Sequence, residues 1–136
     1  ARNVKYYPDA DAVQNNANND FVIFRYADIL LMKAEALVRK GETAGEALDL
    51  VNEIRERAFG NDDHNFTSLS LQDIYDERGR EFAMEMTRRI DMIRFGTFLN
   101  ANVFKPAKTA EAYRLVFPIP TDALTTNSNL IQNTGY

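Results

Sequence analysis

The chain has 136 residues, 45% hydrophobic and 26% charged, the balance of a folded globular protein rather than a disordered one. Its net charge of −4 argues against a nucleic-acid binder, which carries a basic surplus on one face. With no cysteine and one histidine, His64, the sequence excludes a disulfide, a thiolate metal site, a Cys nucleophile and a multi-histidine metal centre.

Length suggests a single domain. Residues 1–24 form a polar lead-in, with Gln14 to Asp20 reading as a loop. Phe21 to Phe24 is a short apolar stretch, either a strand or an extended approach to the first helix. From Arg25 to Lys40, apolar residues at Ala27, Leu30, Leu31, Ala34 and Val38 recur at helical spacing. Gly41 stands where a helix C-terminus favours positive φ. A second helix follows, with Thr43 and Glu46 at capping-box spacing and a stripe of Ala44, Ala47, Leu48, Val51, Ile54 and Ala58 ending at Gly60. Two helices joined so closely lie antiparallel, so residues 25–59 predict a helical hairpin of tetratricopeptide type.

Ser70 and Asp73 mark another N-terminal cap, opening a long charged helical segment over 71–95. Its predicted stripe is Tyr75, Gly79, Phe82, Ala83, Met86, Ile90 and Ile93. Gly79 within it marks either a close packing contact or a break. Gly96 stops the pattern. Residues 97–136 form an irregular tail in which Pro106, Pro118 and Pro120 forbid long helices, with a short helical turn expected at Thr121 to Leu124. The fold class is mainly α. No apolar run approaches the roughly 20 residues of a transmembrane helix.

Glu77, Glu81 and Glu85 are spaced by four and share a helix face. One reading is a carboxylate site for a metal or for acid–base chemistry, as in a hydrolase. The other is ion pairing with neighbours on the same helix: Asp76 with Arg80, Glu85 with Arg88 or Arg89, and Asp91 with Arg94. Five acids and five arginines between Asp76 and Arg94 favour pairing. No Glu-x-x-His pair exists for a di-iron centre. His64 reads as a solvated loop residue, and no catalytic, metal or cofactor-binding residue is assigned. Asn65-Phe66-Thr67 is formally a glycosylation acceptor, without a context that would use it. Tyr6, Tyr7, Tyr113 and Tyr136 fall outside the helical stripes, either as sugar-stacking platforms or as packing residues with satisfied hydroxyls.

Six blocks then share one resemblance. Arg25-Tyr26-Ala27-Asp28-Ile29-Leu30-Leu31-Met32-Lys33-Ala34-Glu35-Ala36 is similar to R-x-A-D-x-L-L-x-x-A-E-A of the SusD/RagB family. Asn52 to Ala58 resembles its N-x-x-R-x-R-A, Glu77 to Phe82 its E-R-x-x-E-F/L, and Arg89 to Gly96 its R-x-x-D-L-x-R-W-G. Phe117-Pro118-Ile119-Pro120 resembles its P-I-P, and Asn127 to Tyr136 its closing N-x-x-L-x-Q-N-P-G-Y. Departures are Met86 and Thr87 where the family often has Gly after Glu, Phe95 for Trp, Ser128 and Thr134 for prolines, and the unusual Gly79.

The resemblance implies a non-enzymatic protein of Bacteroidetes that binds an oligosaccharide or other nutrient and caps a TonB-dependent, SusC-like outer-membrane transporter. It implies a surface-exposed outer-membrane lipoprotein whose lipid anchor lies upstream of this chain. It assigns no cofactor and no glycan-binding residue here, and it implies no nucleic-acid partner. Ala1 in place of Met, together with family members several times longer, reads as a C-terminal portion. A single helical hairpin cannot bury both faces, so this portion alone is expected to expose an apolar patch or to self-associate. The alternative function is a tetratricopeptide-like protein–protein interaction module.

Overall fold

The computed structural model describes residues 5–6, 9–13, 18–20 and 22–136. Tyr7, residues 14–17 of the polar run, and Phe21 lie outside the described residues. The chain divides into two compact units, Ala1–Arg88 and Arg89–Tyr136. The architecture is mainly α, and no β-strand forms among the described residues.

The first unit is built on three helices. Helix α1, Tyr26–Arg39, and helix α2, Glu46–Phe59, form the expected hairpin. Ala27, Leu30, Leu31, Ala34 and Val38 on α1 are buried, as are Ala47, Val51 and Ile54 on α2. Alanines at 27, 34 and 47 leave room for close backbone approach. α1 ends in a Schellman arrangement: Gly41 takes φ 98°, the Glu42 N–H donates to the Leu37 carbonyl and the Gly41 N–H to that of Val38. The predicted Thr43 cap is not formed. Gly45, at φ 60° and ψ −131°, is the N-cap of α2. Thr43 instead accepts the Leu69 N–H on its backbone oxygen, at 3.1 Å.

Helix α3, Leu71–Glu81, carries the predicted capping box: the Asp73 N–H donates to Ser70 Oγ and the Ser70 N–H to Asp73 Oδ2. The charged segment is two helices, not one. After Glu81 the ladder stops, because Met84 (φ 69°) and Met86 (φ 61°) adopt the left-handed conformation. Helix α4, Arg88–Arg94, follows. The interruption resets the helical phase, so the stripe read from sequence does not hold. Met86 and Ile90 are exposed, and α3 instead buries Ile74, Glu77, Arg78 and Glu81, with Tyr75 and the following Phe82 alongside. Gly79 is a close-contact site: a Cβ there would lie 2.8 Å from Arg88 Nη1. That nitrogen donates to the Tyr75 carbonyl at 2.8 Å, and the guanidinium lies 3.7 Å from the Tyr75 ring centroid.

The loop between α2 and α3 is held by an amide clamp. The Phe66 N–H donates to Asn52 Oδ1 at 2.8 Å, and Asn52 Nδ2 donates to the Phe66 carbonyl at 2.9 Å, so one side chain satisfies a peptide as a neighbouring strand would.

The second unit has no buried apolar side chain among its residues; Asp91 is its one buried position. Polar clamps and stacking hold it. Prolines at 118 and 120 have no N–H, leaving Ile119 as the sole backbone donor between them. Ile119 donates to Gln132 Oε1 at 2.8 Å, and Gln132 Nε2 donates back to the Ile119 carbonyl at 2.9 Å. Asn133 Nδ2 donates to the Phe117 carbonyl and the Tyr136 hydroxyl to that of Val116. The P-I-P block and the closing block are thus two halves of one hydrogen-bonded structure. Arg89 lies between the Phe98 and Phe117 rings, 4.8 and 4.0 Å from their centroids, and donates to the Arg114 carbonyl. A 3-10 turn at Ala112–Leu115 and helix α5, Thr121–Thr126, complete the unit.

Candidate functional site

The carboxylate row on α3 was the main candidate for chemistry. Its physical setting is a set of buried acids, each bonded to arginine. Glu77 Oε2 accepts from Arg55 Nη1 at 2.6 Å and from Arg80 Nη2 at 2.7 Å. Glu81 Oε1 accepts from Arg25 Nη1 and Arg57 Nη2, both at 2.5 Å. Glu85, beyond the end of α3, accepts from Arg25 Nε at 2.9 Å and also pairs with Lys5. A fourth pair, Arg78 Nη1 to Asp28 Oδ1 at 2.8 Å, joins α3 to α1.

Most of these arginines come from other elements. Arg25 is the N-cap residue of α1, so its side chain projects from the helix start toward the end of α3. It makes four hydrogen bonds there, including one to the Glu81 carbonyl at 2.6 Å, and lies over the Phe82 ring. Arg55 and Arg57 come from α2. Arg55 also donates to the His64 carbonyl and stacks on Phe66, 4.1 Å from its centroid. It has no acid three or four residues away on its own helix, the one sequence signal that its partner was distant.

Of the intrahelical pairs expected from spacing, Asp91 with Arg94 is present, at 3.5 Å. The rest are replaced. Asp76 accepts from Gln72, Arg80 serves Glu77, Arg88 serves the Tyr75 carbonyl and Arg89 that of Arg114. Removing a side chain from water makes a charge seek the strongest available partner, and a guanidinium from a facing helix meets a buried carboxylate where a solvated neighbour does not.

This arrangement has a defined chemical character. Burial raises the pKa of Glu85, but hydrogen bonds from Arg25 and Lys5 and their charges hold it below its ordinary value. Held ionised by the Arg25 guanidinium and the Lys5 ammonium, Glu85 is a poor proton donor. Among the described residues no group of three or more His, Asp or Glu side chains is placed to hold a metal ion.

The other candidates lie apart from this network. His64 is exposed in its loop, its ring 4.1 Å from that of Phe59. Asn65 Nδ2 donates to Glu56 at 2.5 Å. Tyr6 is exposed beside Glu85, whose charge, after burial, helps raise the phenol pKa. Tyr113 and Tyr136 pack edge to face at 5.0 Å, with the Tyr136 hydroxyl bonded, so this pair fits the packing reading. An open cleft of about 690 Å³ lies against the end of α3, walled by Arg78, Gly79, Phe82, Met84, Met86 and Arg88.

Against this geometry, the sequence model of the SusD family matches residues 1–115. The starch-binding protein SusD of Bacteroides thetaiotaomicron is 34% identical over 126 residues, covering 88% of this chain and 22% of that protein. A SusD-like protein, P2, of Formosa agariphila is 34% identical over 149 residues, covering 97% of this chain and 30% of its own length. Among solved structures, surface glycan-binding protein A from Bacteroides uniformis superposes with a TM-score of 0.70 at 31% identity, over 87% of this chain and 28% of that one. A SusD-superfamily protein from Parabacteroides distasonis gives 0.71 at 31% identity, over 88% of this chain and 28% of its own. The chain therefore spans about a quarter of the length of these relatives.

Proposed function

This chain belongs to the SusD family, and from that premise we propose that it is the scaffold portion of a non-catalytic protein that binds glycans at the bacterial cell surface. The observation that carries the reading is the pairing of Glu77, Glu81 and Glu85 with Arg55, Arg25 and Lys5, which makes the charged row a brace between helices. Relatives named as starch-binding and surface glycan-binding proteins support the ligand class. In this proposal the protein sits on the outer membrane through an upstream lipid anchor. It passes an oligosaccharide to a TonB-dependent, SusC-like transporter without breaking a bond. No helix among the described residues is long and apolar enough to cross a membrane.

The test is affinity electrophoresis of the full-length protein through gels containing starch or other polysaccharides, with product analysis of the same mixtures. Retardation by at least one polysaccharide with no released sugar is expected. Retention by none removes the ligand class. Release of sugar that disappears in Glu81→Gln restores an enzymatic role for the carboxylate row.

A further inference from the structure

The cleft against the end of α3 holds a cation that the brace leaves over. The other guanidinium groups of α3 meet carboxylates: Arg78 pairs with Asp28, and Arg80 shares Glu77 with Arg55. Arg88 does not. Among the described residues its guanidinium makes one hydrogen bond, to the Tyr75 carbonyl at 2.8 Å, and stacks 3.7 Å from the Tyr75 ring centroid. A guanidinium presents a fixed fork of N–H donors, and the rest of this fork is left for another acceptor or for water. Stacking fixes its plane, and Gly79 gives it room, since a Cβ there would lie 2.8 Å from Nη1. Asp76 also lines the cleft, but its Oδ1 accepts from Gln72 and it forms no ion pair with Arg88. Because Glu77 already serves two guanidinium groups, positive charge is in excess here even with Asp76 included.

We propose that Arg88 makes this cleft a binding site for the carboxylate of an acidic sugar, a uronate residue of a glycan chain. A planar guanidinium fork suits a carboxylate, whose two oxygens accept parallel N–H bonds. At about 690 Å³ the cleft has the size of a small-molecule site. Its lining includes Ala83 with Met84 and Met86, which are 72% and 79% exposed. Adaptable thioether side chains of this kind suit the C–H face of a pyranose ring. Thr87 and the second carboxylate oxygen of Asp76 add acceptors for ring hydroxyls. A neutral sugar would use the same lining but leave Arg88 hydrated, so the surplus charge is what selects an acid. The inference rests on the proposed glycan ligand and specifies its charge.

The test is isothermal titration calorimetry of the full-length protein with trigalacturonate, trimannuronate, their methyl esters and neutral maltotriose. At least one uronate should bind, about tenfold or more tightly than its methyl ester, which keeps the rings and loses the charge. Arg88→Met should weaken that binding by about tenfold or more. Arg88 also holds the Tyr75 carbonyl, so a variant that keeps it gives an independent reading. Met86→Asp places a carboxylate at an exposed position whose left-handed backbone Asp tolerates, and should weaken uronate binding by about threefold or more. Circular dichroism shows which variants fold; if Arg88→Met does not, Met86→Asp decides. Binding of neither uronate, equal binding of the ester, or a smaller loss than stated in a folded variant overturns the proposal. Retention of a neutral polysaccharide in the gel assay with no uronate bound defeats this inference alone, whereas binding of neither defeats the glycan reading as well.

Discussion

Replacing Arg78 by Met removes the guanidinium that faces Asp28 while keeping most of the aliphatic stem. Both residues are buried, Arg78 at 5% and Asp28 at 8% exposure, and the pair is 2.8 Å apart. Breaking a buried pair by removing one partner leaves the other charge without its counterion and costs about 3–5 kcal/mol. Loss of the Arg78 contact with the Phe82 ring, 5.0 Å away, adds about 0.5–1 kcal/mol. Asp28→Leu alone removes the carboxylate to which Arg78 Nη1 donates, and is also expected to lower stability. Joining Arg78→Met to Asp28→Leu removes both charges at once, and replacing a buried pair with apolar side chains is often neutral or stabilising. The double variant is therefore expected within about 1 kcal/mol of the parent, giving a coupling free energy above about 3 kcal/mol. Urea unfolding followed by circular dichroism at the helix band measures all four proteins, with the slope checked for constancy. A loss below about 1 kcal/mol in Arg78→Met, or a double variant costing the sum of the two singles, would refute the view that this pair braces α1 against α3.

Three further outcomes are expected. Met86 is 79% exposed yet left-handed, so Met86→Gly relieves backbone strain without losing packing and should stabilise by about 0.5–1 kcal/mol; a loss of stability in the same urea assay contradicts this. Gln132→Met leaves both the N–H and the carbonyl of Ile119 without their clamp, so hydrogen exchange at the Ile119 amide should accelerate about tenfold or more, while α1 amides are unchanged. Unaltered exchange at Ile119 would show that the clamp holds nothing in place. Glu85 has a folded pKa below its ordinary 4.5, set by burial that raises it and by Arg25 and Lys5, which lower it more. A depressed folded value means stability that is complete above the unfolded pKa and is lost as pH falls through the folded one. Glu85→Gln should therefore flatten the decline in stability below about pH 4.5, and an acid limb as steep as the parent's would count against the pairing.

The helix ends were readable because their information is local. Ser70 and Asp73 stand three residues apart and form their box within one turn; Gly41 and Gly60 end α1 and α2 through conformations their own backbone permits. Thr43 misled because Gly45 moved the start of α2 two residues onward. The stripe of α3 misled for a deeper reason: its inward face is Ile74, Glu77, Arg78 and Glu81, mostly charged, and a hydrophobic pattern cannot find a buried face made of ions. The charges did announce pairing, but not with whom. Spacing by three and four offered partners on the same helix, whereas Arg25, Arg55 and Arg57 arrive from α1 and α2. Asn52 and Gln132 gave no sign of clamping loops 14 and 13 residues away.

By itself, then, the order of residues determined the mainly helical class, the hairpin of α1 and α2 and the blocks shared with the SusD family, since each depends on contacts within a few positions. Folding in three dimensions decided which side of α3 turned inward and which acid met which arginine. Those outcomes depend on which side chains are desolvated together, and desolvation is a property of the packed chain rather than of any one segment.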